Sequence, residues 1–240
     1  MRRSVVFSAL MSIVLWSVLH APPAQAGEVG VPIGSYGGSI TVTQPISSVV
    51  ELRQRGVTLQ QLDYSCGSAA LSTLFTSYLN QPYSEAEIIN FITMTGDLQK
   101  IIVRKGFSLL DLKRFAEYHG VHADGYVLDY ESLLEFKSPV LVPLYRKDQQ
   151  LRHFVIFRGY ADDRVFLADP AQGRVTMMRS EFEEQWQPKV GMVFSHGDQV
   201  PNERTSLDLG PDDAVYLSPE SLRQIVQQSA LQFIHQANEF

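Results

Sequence analysis

The sequence predicts an α+β domain, with helices in the first half of the chain and antiparallel strands in the second half. Between residues 66 and 118, apolar residues recur at helical spacing behind polar residues that favour helix starts. From residue 139 onward, short apolar runs rich in β-branched residues alternate with Gly, Asp and Pro, a pattern typical of strands and turns. Helices followed by antiparallel strands are characteristic of the α+β class.

Three helices are predicted in the first half. The first begins near Cys66 and presents an apolar face formed by Leu71, Leu74, Phe75 and Tyr78. The second begins at Ser84, because Glu87 follows three residues later and the pair forms a capping-box pattern. Ser108 and Asp111 repeat this spacing and predict the start of the third helix.

The second half is predicted to be mostly sheet. Strand character is found in the segments 123–128, 139–145, 151–160, 164–169, 173–178 and 190–195. A short helix is predicted at 131–136, and a second one, capped by Ser180, at 180–186. An Asp162-Asp163 turn between two of the strands predicts a hairpin.

Composition changes along the chain predict five regions. Residues 1–26 have a basic start, an apolar core and an Ala-Gln-Ala end, which predicts a signal peptide cleaved after Ala26. Residues 27–48 form an N-terminal extension with strand character at 39–43, and residues 49–195 form the main domain. Residues 196–214 are polar and rich in Asp, Gly and Pro, which predicts a linker, and residues 215–240 contain an amphipathic helix.

Composition also excludes several functions. The formal net charge of the 240 residues is −6, so a nucleic-acid partner is not expected. No segment besides the signal is long and apolar enough to span a bilayer, and no ATPase phosphate-binding loop is present. His119 and His122 are interpreted as solvated or capping residues, and no metal or other cofactor is expected.

Cys66 is the single cysteine of the chain and lies at the start of a predicted helix. The N–H groups of a helix N-terminus stabilise a thiolate, and the small residues 67–70 would let a substrate backbone approach. A lone thiol in an exported protein is either reactive or dimer-forming, and a buried thiol can also serve only as a small apolar side chain. A reactive thiol requires a general base that is held by a third polar group.

His153 and Asp169 are the candidates for that base and its partner. His153 lies near the start of one predicted hairpin strand, and Asp169 lies at the end of the next strand. Antiparallel pairing brings these two ends side by side, so we expect the imidazole and the carboxylate to meet.

These residues resemble those of a known family. The stretch from Gln60 to Gly67 (Gln-x-x-Asp-Tyr-Ser-Cys-Gly), the His-Phe-Val pattern at 153–155 and the Ala-Asp-Pro turn at 168–170 are similar to the C39 cysteine peptidases, which process bacteriocins. The resemblance extends from about residue 49 to about residue 194 and includes the segment 106–117.

The resemblance implies a papain-like fold, with the thiol on a helix that faces His and Asp on the sheet. It implies Cys66 as nucleophile, His153 as general base and acid, and Asp169 as the residue that orients the imidazole. Gln60 matches the family's oxyanion-hole glutamine, although Gln61 competes with it for that position. The separation between residues 153 and 169 also fits the family pattern.

The implied function is a periplasmic cysteine endopeptidase that cleaves an exported protein. Length, signal and acidic C-terminal extension are most similar to the accessory peptidases of bacterial functional-amyloid secretion systems, so the implied partners are protein or peptide substrates, among them amyloid subunits or secretion-system components. Two alternatives stay open: a peptide-binding or chaperone module that does not cleave, and a transglutaminase or amidase with the same triad. The pair Gly37-Gly38 is a candidate site for self-processing, although Gly-Gly pairs usually mark turns.

Overall fold

The computed structural model describes residues 28–33, 40–45, 48–146, 151–196, 205, 207–210 and 213. The predicted signal peptide, the Gly37-Gly38 pair and the predicted C-terminal helix lie outside these residues. The chain divides into two compact units, Met1–Val49 and Val50–Phe240. In the described part of the chain, no helix combines the length and hydropathy needed to cross a bilayer.

The first unit contains an antiparallel pair of strands, β1 (Glu28–Ile33) and β2 (Ile40–Pro45). The strand β2 agrees with the strand character predicted for residues 39–43. Its partner β1 was not predicted, because a glycine and a proline interrupt the alternation of apolar residues there.

The second unit contains helices followed by a mainly antiparallel sheet, which confirms the predicted α+β class. Its helices are α1 (Val49–Gln54), α2 (Cys66–Ser77), α3 (Glu85–Thr95), α4 (Leu98–Arg104), α5 (Leu109–Tyr118), α6 (Tyr130–Leu134) and α7 (Arg179–Gln185). Its strands are β3 (His122–Val127), β4 (Val140–Arg146), β5 (Leu151–Ala161), β6 (Arg164–Asp169), β7 (Gly173–Met178) and β8 (Val190–Ser195). The residue Val49 at the start of α1 falls at the boundary between the units.

The strands of the second unit form one antiparallel sheet in the order β3-β8-β4-β5-β6-β7. Alternate residues along each strand point to opposite faces, so each face has its own buried cluster. Leu141 and Ile156 belong to the cluster formed with α2, α3 and α5. Val142 and Phe157 belong to the cluster formed with α6 and α7 on the other face. The sheet is therefore covered by helices on both faces.

The predicted capping boxes are present at α3 and α5. The Ser84 hydroxyl accepts from the N–H of Glu87, and the Glu87 carboxylate accepts from the N–H of Ser84. Ser108 and Asp111 make the same pair of bonds. The predicted Ser180 cap is wrong: α7 begins one residue earlier, after Met178, and has no side-chain cap.

Two short helices, α1 and α4, were not predicted. Neither helix has a fully buried residue, and each is shorter than two turns, so too few residues are present for a helical period to be recognised in the sequence. The start of α4 is marked by Asp97, whose carboxylate accepts from the N–H of Lys100. Such a cap alone does not distinguish a helix from a turn.

His119 ends α5 and packs among aromatic rings. Its Nδ1 lies 2.8 Å from the Tyr83 hydroxyl, and its ring centroid lies 4.4 Å from that of Phe115. Burial lowers the pKa of His119 below its ordinary value. The neutral ring therefore links α5 to the segment that precedes α3.

Part of the range predicted as a linker packs on the sheet. Leu207 is buried in the cluster that α2, α3 and α5 cover. Arg158 of β5 is buried and makes a bidentate ion pair with Asp213, with nitrogen–oxygen distances of 2.9 and 3.0 Å. The same guanidinium donates to the carbonyl oxygens of Leu207 and Asp208. These contacts attach the described residues of 205–213 to β5.

Candidate active site

Cys66 is the first residue of α2, as predicted, and its side chain is partly exposed. The turn before it is closed by Ser65, whose hydroxyl donates to the carbonyl of Leu62 at 2.8 Å. The next residue, Gly67, is buried, and a Cβ there would lie 3.2 Å from Cδ2 of Phe154. The absence of a side chain at position 67 therefore lets the N-terminus of α2 pack closely on β5.

His153 lies where β5 extends beyond its neighbour β6. The pairing of β5 with β6 ends at Ile156 and Ala168, whereas on the other side His153 is still paired with Leu144 of β4. The edge of β5 at His153 is thus left open by β6, and the thiol of Cys66 reaches the imidazole there. The hairpin predicted from the sequence is present, with Asp162 at a φ of 54° in its turn.

Asp169 holds the imidazole from the other side. Its Oδ1 lies 2.6 Å from Nε2 of His153, and the two residues are only 4% and 6% exposed. The Asp169 carboxylate also accepts from the N–H of Ala171 at 2.7 Å and from Nε2 of Gln172 at 3.2 Å. These bonds fix the plane of the carboxylate. The predicted contact between His153 and Asp169 is therefore present, and its geometry is held by neighbouring groups.

The side chain of Cys66 lies close enough to the imidazole to raise the pKa of His153. Because Nε2 is bound to Asp169, Nδ1 is the ring nitrogen left for the thiol. Burial is the largest single influence on the pKa of His153 and lowers it. The hydrogen bonds and charges of Asp169 and Cys66 together outweigh burial and raise this pKa from 6.5 to about 9. The site therefore favours an imidazolium beside the sulfur near neutral pH.

Gln60 lies in the loop before α2. Its Nε2 donates to the carbonyl of Leu62 at 3.0 Å and lies 3.5 Å from the carbonyl oxygen of Asp63, whereas its Oε1 is buried and accepts no hydrogen bond from the described residues. Its backbone N–H donates to the carbonyl of Pro170 at 2.8 Å. The amide is therefore held against its own turn, and this turn is attached to the residue after Asp169.

Two cavities adjoin the Cys66–His153 pair. One, of about 480 Å³, is lined by Cys66 and by apolar and basic side chains that include Phe107, Phe154 and Arg152. The other, of about 550 Å³, is lined by His153 and Asp169 together with β7 and α7. Tyr145 lines both cavities, so they adjoin at this side chain.

Gln172 and Tyr145 were not singled out from the sequence as parts of the site. Gln172 and Tyr145 reach it only through the pairing of β6 with β7 and of β4 with β5. No local motif marks such residues, because their contacts depend on strand register. Gly67 was predicted to leave room for a substrate backbone, whereas the structure shows that its missing side chain leaves room for Phe154 of β5.

Comparison with known proteins gives similarities of three kinds: to a family model, to individual proteins and to a solved structure. A model of the peptidase C39 family matches residues 54–198. The chain is 31% identical to a Pseudomonas fluorescens protein named probable functional amyloid protease FapD, over 75% of this chain and 77% of that protein. A Pseudomonas aeruginosa protein of the same name is 30% identical over 81% of each chain.

The third similarity is structural. The crystal structure of the peptidase domain of Streptococcus ComA, described as a bi-functional ABC transporter involved in a quorum-sensing pathway, matches with a TM-score of 0.50. The match covers 58% of this chain and 96% of that domain at 17% identity, so it supports the fold alone.

The family match includes Gln60, Cys66, His153 and Asp169, and spans the helices and the sheet that hold them. The helices packed on an antiparallel sheet, and the similarity to a C39 peptidase domain, give the predicted papain-like fold. This chain belongs to the peptidase C39 family and is a cysteine peptidase.

Proposed function

We propose that the protein hydrolyses peptide bonds with Cys66 as nucleophile, His153 as general base and acid, and Asp169 as the residue that orients the imidazole. The observation that carries this proposal is the placement of Cys66 beside His153, whose Nε2 lies 2.6 Å from Oδ1 of Asp169. A thiol paired with an imidazole that a third group holds is the arrangement that nucleophilic catalysis by cysteine requires.

In the first step the Cys66 thiolate attacks the scissile carbonyl carbon, and the carbonyl oxygen becomes an oxyanion. The backbone N–H of Cys66 has no acceptor within the first turn of α2, so it is suited to bind this oxygen. Nε2 of Gln60 is the second proposed donor. One of its protons is engaged by Leu62, while the contact with Asp63, at 3.5 Å, is long enough to be exchanged for the oxyanion.

The imidazolium of His153 then donates its proton to the leaving amine, the C–N bond breaks and a thioester remains on Cys66. The neutral imidazole next takes a proton from water, the hydroxide oxygen attacks the thioester carbonyl, and the carboxylic acid leaves as the thiol is restored. Asp169 keeps its proton-free carboxylate on Nε2 throughout, which holds the ring in the tautomer that presents Nδ1 to the sulfur.

This chemistry assigns the two cavities to the two parts of the substrate. The acyl part is attached to sulfur, so it occupies the cavity lined by Cys66. The leaving amine must lie within reach of His153, so the residues after the scissile bond enter the cavity lined by His153 and Asp169. A substrate segment thus passes over Tyr145, which lines both cavities.

The proposed substrate is an exported protein, and the proposed site of action is the periplasm. The signal-like residues 1–26 support export. The names of the two Pseudomonas relatives support a role in the secretion or assembly of functional amyloid, whose subunits or secretion components would be the partners.

The deciding experiment incubates the purified protein with candidate exported proteins, amyloid subunits among them, and maps new termini by mass spectrometry. We expect defined cut sites with the wild type and none with Cys66→Ala, whose fold is checked by circular dichroism. Cleavage by Cys66→Ala at the wild-type rate would refute the nucleophile. Tight binding of a candidate without any cut, together with no labelling of Cys66 by a thiol-directed probe, would favour a non-cleaving module instead.

A further inference from the structure

Glu85 is a buried carboxylate that the mechanism above does not use. It is the first residue of α3 and only 4% exposed. Both of its carboxylate oxygens accept from the backbone N–H of Gln61, at 3.2 and 3.1 Å. Burial of a carboxylate is costly unless it is hydrogen bonded, so this contact is one that the fold must retain.

The contact falls on the loop that carries the proposed oxyanion donor. We define residues 60–65 as the oxyanion loop. Consecutive N–H groups of this loop are bound by different parts of the chain. The N–H of Gln60 donates to the carbonyl of Pro170, the N–H of Gln61 donates to Glu85, and the N–H of Leu62 donates to the hydroxyl oxygen of Ser65 at 3.2 Å.

The start of α3 is itself fixed to the nucleophile helix. The hydroxyl of Ser72, in α2, donates to the carbonyl of Tyr83 at 2.6 Å, two residues before Glu85. The Glu85 carboxylate is thus attached through the backbone to the same helix that carries Cys66. The position of Gln61, and of the adjacent Gln60, is thus connected to α2, which carries the sulfur of Cys66.

A role in helix stability alone is the competing explanation. A carboxylate in the first turn stabilises a helix through its dipole, and Glu87 on the same turn also does so. That role would lower the stability of the fold when Glu85 is replaced, but it would not select between steps of the reaction. If Glu85 positions the oxyanion loop, its replacement should weaken binding of the transition state more than binding of the substrate.

We propose that Glu85 is a positioning residue that fixes the oxyanion loop, so that the Gln60 amide meets the developing oxyanion. The inference rests on the proposed function. Loss of the acceptor releases the N–H of Gln61 and lets the adjacent Gln60 move. Small displacements of a preorganised donor cost catalysis steeply, because the donor must be in place as the charge develops.

The test compares Glu85→Ala and Glu85→Gln with Glu87→Gln as a matched control in the full chain. The control changes a carboxylate on the same helical turn that is exposed and contacts Ser84, not the oxyanion loop. Four quantities are measured: kcat and KM for a fluorogenic peptide that spans the mapped cut site, the inhibition constant of an aldehyde with the same acyl sequence, and the rate of alkylation of Cys66 by iodoacetamide.

The aldehyde reports on the oxyanion loop because its hemithioacetal places an oxygen in the oxyanion position, whereas alkylation by iodoacetamide forms no oxyanion. For Glu85→Ala we expect kcat and aldehyde affinity to fall together by about 10- to 100-fold, below the loss for a deleted donor, while KM and alkylation change little. Glu85→Gln retains an oxygen acceptor for Gln61 and should recover most of the loss. Glu87→Gln should match the wild type in all four quantities.

Several outcomes would overturn the inference. Wild-type kcat and aldehyde affinity in Glu85→Ala, with only a lower melting temperature, would assign Glu85 to helix stability. An equal fall in alkylation would indicate that the whole site is disturbed. If Glu85→Ala does not fold, the decision passes to Glu85→Met, which keeps a similar side-chain volume but offers Gln61 no acceptor, and unchanged kcat and aldehyde affinity in that variant reject the inference. Failure of the proposed function would look different, because the wild type itself would show no turnover and no aldehyde binding.

Discussion

The N–H of Gln60 donates to the carbonyl oxygen of Pro170 at 2.8 Å, and this bond joins the loop before the nucleophile to the turn after Asp169. The two segments carry the proposed oxyanion donor and the proposed orienting carboxylate. Their attachment makes the geometry of one depend on the other, so changes in the β6–β7 turn should reach both.

The glycine that closes this turn gives a direct test. Gly173 has a φ of +83°, and a Cβ there would overlap the Arg53 carbonyl oxygen. Gly120 has a similar φ of +77° but nothing within 4 Å of a Cβ. Gly120→Ala should therefore lower the free energy of unfolding by about 1–2 kcal/mol through its φ alone. Gly173→Ala should lower the free energy of unfolding clearly more, because its Cβ also meets the Arg53 carbonyl oxygen. It should also lower kcat, because the turn that holds Asp169 must shift.

Urea denaturation and peptide turnover measure the two effects. Equal losses of stability in the two alanine variants would mean that the Arg53 contact relaxes without cost. Unchanged kcat in a folded Gly173→Ala protein would contradict the dependence of Asp169 on this turn.

The pH dependence follows from the pKa of His153. The native pKa of about 9 lies above the ordinary value of 6.5, so the folded state holds this proton more tightly than the unfolded state. The resulting stability is fully present below about pH 6.5 and is lost as pH rises through about 9. The melting temperature should therefore fall across this interval, and kcat/KM should decline on the alkaline side near pH 9 as the imidazolium deprotonates.

His153→Ala should flatten the stability change over the same interval, measured by calorimetry at matched ionic strength. A wild-type alkaline decline centred near the ordinary value of 6.5 would contradict the raised pKa.

Asp169→Asn removes the charge that faces Nε2 of His153. Burial then lowers the pKa of His153 with less opposition, so the alkaline decline of kcat/KM should move to lower pH. The loss of orientation should reduce kcat/KM by about 10²- to 10⁴-fold, the range of general acid–base contributions. Asp163→Asn, in the exposed β5–β6 turn, is the control and should leave the profile in place. If the pH profile of kcat/KM is the same in Asp169→Asn as in the wild type, the Asp169 carboxylate does not raise the pKa of His153.

Gln60→Ala and Gln61→Ala distinguish the two glutamines that the sequence leaves in competition. The side chain of Gln60 lies against the oxyanion loop, whereas Gln61 has an exposed side chain and uses its backbone N–H to bind Glu85. Gln60→Ala should lower kcat by about 10²- to 10³-fold, as for the loss of one oxyanion donor. Gln61→Ala should lower kcat much less. Steady-state kinetics with one substrate measures kcat for both variants. A larger loss of kcat in Gln61→Ala than in Gln60→Ala would assign the donor role to Gln61.

The buried ion pair of Arg158 and Asp213 should matter for stability. Asp213→Ala leaves a buried guanidinium without its bidentate partner, which should lower the free energy of unfolding by about 3–5 kcal/mol. The double variant Arg158→Met with Asp213→Leu leaves no buried charge of this pair and should be less destabilised than Asp213→Ala. Urea denaturation measures the difference. Equal stability of Asp213→Ala and the wild type would mean that this contact is not maintained in solution.

Several elements were predictable because their signals are local. The capping boxes at Ser84 and Ser108 are read from two residues three positions apart, and both are observed. The strands β5, β6, β7 and β8 were predicted within one residue of their bounds, since alternation and turn residues define them. Helices α1 and α4 escaped prediction because each is shorter than two turns and has no fully buried residue. The described part of 205–213 is held by Arg158, whose partners lie far along the chain.

The sequence by itself determined the residue types of the site and their order, because a helix-starting cysteine, a strand-borne histidine and a strand-ending aspartate are each marked by neighbouring residues. Only the tertiary structure decided that β6 stops short of His153, that Pro170 and Glu85 bind the oxyanion loop, and that cavities open on both sides of the Cys66–His153 pair. The reason is physical: local patterns fix backbone conformation, whereas contacts between distant segments depend on strand register and helix packing, which no short stretch of sequence contains.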